Sequence, residues 1–127
     1  MALAAEAAPV VFDTDAATIP ARIPYLAPPP GPVMTLPGDP GRFKIGLAWA
    51  GNPNNQPADR WRSTQVATLA PLLDTPGAQF YSLQVGAPAA QLAALPQREL
   101  IIDLAPSLTD FAATAAVIRS LDLVITT

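Results

Sequence analysis

Between Trp49 and Ser63 the chain reads WAGNPNNQPADRWRS, the one stretch in which glycine, asparagine, arginine and serine cluster between an apolar run and the start of a helical pattern. Gly51 lets the backbone turn with no side chain in the way, and Asn52 and Ser63 can donate hydrogen bonds. Arg60 and Arg62 carry guanidinium forks that match phosphate oxygens. A helix opening just after Ser63 would add free N–H groups and the positive end of its dipole. The chemistry these types favour together is the holding of a diphosphate. A second reading of the same loop is a solvated connector, and for Asn54, Asn55 and Gln56 turn geometry is the better account. Trp49 and Trp61 read first as packing residues, although Trp61, between two arginines, could stack on a base or ring.

Other chemistries are harder to build. The sequence has no histidine and no cysteine, which removes a Ser-His-Asp triad, thiolate nucleophiles, disulfides and the usual zinc ligands. No metal site is expected. Neither G-x-G-x-x-G nor G-x-x-x-x-G-K-[ST] follows the first apolar run, so hydride transfer and nucleotide hydrolysis fall in rank. The acids do not pair: Asp59 lies in the loop, Asp110 suits a helix start and Asp122 opens a strand. Asp103 ends a strand where it could face a ribose, but a capping or loop role fits it better. With seven basic residues and a net charge of −3, the chain lacks the Lys/Arg field that gripping nucleic acid requires.

The elements that must position the loop follow from the apolar pattern. Of the 16 prolines, most fall in residues 1–41, where no period of 2 or 3.6 is sustained. Pro28–Pro30 there predicts extended, polyproline-like backbone, and Ile19, Ile23, Tyr25 and Leu26 are apolar enough to lie against something. Residues 1–41 therefore read as a connector and residues 42–127 as a domain. The N-terminus lacks a basic region and carries Glu6, so no signal peptide is expected. No run reaches membrane-spanning length, and the composition is compatible with a reducing cytoplasm.

From Phe43, FKIGLAW is a continuous apolar run of strand length, as in a strand buried on both faces. Ser63 or Thr64 is placed to cap a helix with Val66, Leu69, Leu72 and Leu73 at helical spacing, kinked at Pro71 and ended by Thr75-Pro76-Gly77. Gln79–Val85 predicts a second strand, with Tyr81 in the core. Pro88 opens a short helix reaching about Leu95, and Leu100–Asp103 predicts a third strand. Ser107 and Asp110 resemble a capping box before a helix with Phe111, Ala115 and Ile118 on one face. Asp122–Thr127 predicts a fourth strand. This alternation is the grammar of a Rossmann-like parallel α/β sheet in the order 3-2-1-4, with the ligand crevice where the carboxyl ends of the first and fourth strands flank the topological switch point.

The series FKIGLAWAGNP, DRWRS, APLL, YSLQVG and DFAATAAVIRSLDLVITT resembles the nucleotide-sugar lobe in the glycosyltransferase-like C-terminal region of bacterial tetratricopeptide-repeat proteins. That region is distantly similar to heptosyltransferases and O-linked N-acetylglucosamine transferases. The resemblance covers about residues 43 to 127, and TIPARIPYLAPPP is similar to the segment linking the preceding lobe. It implies a two-lobed GT-B architecture whose donor phosphates lie on the loop after the first strand, at Gly51, Asn52, Arg60, Arg62 and Ser63. A UDP- or GDP-sugar would enter as substrate, with no separate cofactor. In relatives the last strand runs into Asp-Thr and a nearby histidine, whereas this sequence ends first. The expectation is thus a truncated donor-binding lobe, inactive alone, whose partners are a second lobe and tetratricopeptide repeats and whose fourth strand is an edge open to self-association. A scaffold module and another Rossmann-like small-molecule domain are the alternatives.

Overall fold

In a computed structural model, residues 13–15, 17–19, 30, 34–54 and 59–127 are described, 59 and 60 in backbone only. Four strands, β1 (Phe43–Ala48), β2 (Ala78–Ser82), β3 (Ile101–Asp103) and β4 (Leu123–Thr126), form one parallel sheet in the order β3-β2-β1-β4. This is the doubly wound α/β arrangement that the alternation predicts.

Strand periodicity assigns the two faces. Ile45, Leu47 and Trp49 turn to one side, where they pack with Phe80 and Ile101 under Val66, Leu73 and Leu92 from two 3-10 helices, Val66–Asp74 and Ala87–Ala94, and under Leu95, which caps the second. On the other side Tyr81 packs with Leu36, Leu104 and Val117, with Met34, Leu83 and Leu121 against them. Val117 belongs to the helix α2 (Phe111–Ile118), and a four-residue turn of helix, α1 (Asp59–Arg62), sits within the loop after β1. Gly46 faces this second layer: a Cβ there would stand 2.6 Å from Leu121 Cδ1 and 2.8 Å from Leu83 Cδ1, so the layer closes only over glycine.

Several elements depart from the sequence reading. The segment after the first loop is 3-10, begins at Val66 and has Gln65, without a side-chain cap, where Ser63 or Thr64 was expected. Pro71 inside it removes one N–H and would meet the carbonyl a turn earlier, which breaks an α ladder. β2 stops at Ser82 because Gln84 turns its side chain into the adjoining loop. No capping box forms at Ser107, which lies in a separate 3-10 turn; Asp110 is itself the N-cap, its carboxylate accepting from Ala113 N–H at 2.7 Å. Val117, not Phe111 or Ile118, is the buried residue of α2; Phe111 is 95% exposed.

Ahead of β1, Tyr81 Oη donates to Pro37 O at 2.8 Å and Leu36 is buried, so contact with the sheet begins before residue 42. Ile19 is 59% exposed and does not serve as an apolar anchor. Ile23, Tyr25, Leu26, Pro28 and Pro29 lie outside the described residues. Among the described residues no helix is long and apolar enough to cross a membrane.

Candidate functional site

The carboxyl end of β1 is held from within by one side chain. Gln84, buried on the first face, accepts the N–H groups of Trp49 and Ala50 on Oε1, each at 2.9 Å. Its Nε2 donates to Ala50 O at 2.9 Å and Val85 O at 3.1 Å. The carboxamide is therefore saturated, and it ties the loop after β1 to the loop after β2. One residue further, Gly51 N–H donates to Ser63 Oγ at 2.9 Å, and Thr64 N–H to Trp49 O at 2.8 Å, which closes the far end of the loop onto its start. Asn54 N–H donates to Asn52 Oδ1 at 3.0 Å and sets the turn at the tip.

Between the two loops lies an open cleft of about 540 Å³, walled by Gly51, Asn52 and Asn54 on one side and Val85, Gly86 and Pro88 on the other. It sits at the carboxyl edge of the sheet, but between the first and second strands and not, as expected, between the first and fourth, where the 3-2-1-4 order has its switch point. A second, more apolar hollow of about 530 Å³ shares Val85 and continues past Leu83, Leu108 and Phe111. Neither family models, nor curated proteins, nor solved structures give a match to this chain. What the site can do rests on its own geometry.

Of the five residues expected to hold phosphate, Gly51 and Asn52 line the cleft. Ser63 stands behind Gly51, its oxygen engaged by the Gly51 amide. Arg62 is exposed at the end of α1 and is not part of the cleft wall, and the side chain of Arg60 is outside the described residues. On the main chain, the N–H groups of Trp49, Ala50 and Gly51 are all taken by Gln84 and Ser63. At the start of the following helix, Val66 N–H donates to Gln91 Oε1 at 3.1 Å and Thr68 N–H to Gln65 O at 2.9 Å.

Trp49 is fully buried, as packing requires, with its indole N–H lacking an acceptor among the described residues. Trp61 is 81% exposed, so the packing reading does not hold for it. Three acids have structural partners: Asp103 accepts from Ala105 N–H at 3.0 Å, Asp110 caps α2, and Asp122 accepts from Lys44 N–H at 2.7 Å while its own N–H donates to Lys44 O. Among the described residues no three carboxylates gather as a metal site would require. Gln84 was not singled out in the sequence. Its signal is positional: in QFYSLQV it falls in step with Phe80 and Ser82, a carboxamide on the buried side where the strand gives way to the loop.

Proposed function

We propose that this chain is the nucleotide-sugar-binding part of a glycosyltransferase-like protein and that its residues bind the donor without carrying out the transfer. The observation that carries this reading is the cleft at the carboxyl edge of a 3-2-1-4 sheet, walled by the glycine- and asparagine-bearing loop after β1. Arg60 and Arg62 meet the diphosphate through their side chains, Asn52 stands on the cleft wall, and Ser63 holds Gly51 in place. The resemblance of the strand-loop series supports the same assignment. A binding role without catalysis is favoured because Asp103, Asp110 and Asp122 each accept a backbone N–H and none stands on the cleft wall.

Thermal melting with UDP- and GDP-sugars tests the proposal. A ligand at about 100 times its Kd stabilises by roughly 2.7 kcal/mol, which melting resolves easily. The expected result is a rise in Tm with one nucleotide class that the double variant Arg60→Ala, Arg62→Ala abolishes. A folded sample whose Tm moves with no nucleotide sugar sinks the donor reading and leaves a scaffold role.

A further inference from the structure

We infer that the cleft between the β1 and β2 loops takes the uncharged, polyhydroxylated ring of the ligand, a sugar, while the diphosphate lies outside it on the Arg62 side; the second half of this rests on the donor reading above. A phosphate group accepts hydrogen bonds and is drawn to cations and free N–H groups. The cleft's described lining offers it no cation. The three N–H groups leading into its β1 wall are already donated, and none of its described lining residues is charged.

What the cleft presents instead are the carboxamides of Asn52 and Asn54 beside the apolar faces of Pro53, Val85 and Pro88. A carboxamide both donates and accepts, so it answers both functions of a hydroxyl, whereas a phosphate oxygen would use its donors alone. Asn52 Oδ1 is taken by Asn54 N–H, and its Nδ2 donors have no partner among the described residues. A pyranose brings hydroxyls at its rim and C–H faces above and below, and a cleft of about 540 Å³ admits it with room to spare. Gln84 fixes the distance between the two walls, because its one carboxamide bonds to both loops. The width is therefore set before any ligand arrives. Arg62 immediately precedes Ser63, whose Oγ holds Gly51 N–H, so its backbone runs beside the cleft and its exposed guanidinium can meet a charged group at the mouth.

Amide chemical shifts of the full chain, recorded with N-acetylglucosamine or glucose, with inorganic pyrophosphate and with the corresponding UDP-sugars, separate the possibilities. The free sugars should move the Gly51, Asn52, Val85 and Gly86 amides, and pyrophosphate should move the neighbourhood of Arg62 while leaving Val85 and Gly86 in place. Asn52→Ala should weaken the sugar response about fivefold, the effect of one lost hydrogen bond, and leave the pyrophosphate response intact. Pyrophosphate moving the cleft amides as strongly as the sugars do, or free sugars moving none of them while a UDP-sugar still binds, overturns the inference and spares the donor reading. Sugars moving the cleft amides with no added effect of any UDP-sugar leaves the ring site standing and removes the donor reading. Silence from every probe overturns both.

Discussion

Gln84 shows how one buried polar residue decides what a loop can bind. Its four hydrogen bonds join two stretches of backbone that have no ladder to share, and removing them strands N–H and C=O groups at a nearly dry position. Each orphaned buried group costs about 1–3 kcal/mol. Gln84→Leu is therefore expected to lower unfolding stability by at least about 2 kcal/mol in urea titrations. Gln84→Glu keeps the acceptor oxygens but, when ionised, turns negative charge on the Ala50 and Val85 carbonyls. Burial and those carbonyls favour its protonated form, so its deficit relative to wild type should be smaller at pH 4 than at pH 7; a deficit independent of pH would contradict the donor role of Nε2. Tyr81 supplies a second case. Burial raises its phenol above the ordinary value of 10.0, so the neutral form is favoured in the fold, and the stability this gives is complete below pH 10 and lost as pH climbs through the raised value. Tyr81→Phe should cost about 0.5–1.5 kcal/mol near neutrality by freeing Pro37 O and should lose less stability than wild type in alkaline denaturation. In the sequence, Gly51 and Asn52 were legible as site residues because turn chemistry is local. The fate of the Trp49 and Ala50 amides beside them was not, because it depends on a glutamine 35 and 34 positions away whose partner is fixed only once β2 lies beside β1.

At the scale of elements, what the sequence makes plain is period and order. FKIGLA is a strand whose Ile45–Leu47 stretch is buried between the two layers, and the four strands align in the order 3-2-1-4 that the alternation predicts. Helix type and helix face were less legible. The segments around Pro71 and Pro88 carry enough leucine and alanine to suggest α-helix, yet settle as 3-10, where each turn is closed by shorter-range bonds. For α2, apolar spacing favours Phe111 and Ile118 as the inner face, but Asp110 caps the helix one residue before Phe111 and leaves that ring at its open end, so Val117 takes the core. Gly46 is where strand and layer meet most tightly. Gly46→Ala would place a methyl 2.6 Å from Leu121 Cδ1 and 2.8 Å from Leu83 Cδ1; overpacking of this kind costs about 1–3 kcal/mol. A matching fall in the urea midpoint, with the m-value unchanged, is expected. An unchanged midpoint would mean that α2 and the turn after it can lift off β1 freely.

For the whole molecule the decisive contrast is between the inner strands of the sheet and its β4 margin. β1 and β2 have neighbours on both sides, whereas β4 pairs with β1 alone among the described residues, and Leu123 on it is 44% exposed. Its register is pinned at the start by Asp122, which exchanges hydrogen bonds with Lys44 through both its carboxylate and its N–H. A pinned, apolar margin that pairs on one side only among the described residues is a template for another strand, and proteins commonly guard such margins with lysine, proline or a bulge. Leu-Val-Ile-Thr carries none of these residues. For this 127-residue chain, sedimentation velocity across rising concentration is expected to show reversible association, and Leu123→Lys, which sets a charge on the exposed margin without entering the core, should shift it toward monomer. The bond pattern separates margin pairing from contact through the exposed Phe111: a Phe111→Ser variant should associate as wild type does. Wild type that stays monomeric throughout, or association abolished by Phe111→Ser and untouched by Leu123→Lys, would take the β4 margin out of the account and assign self-contact to the hollow beside α2.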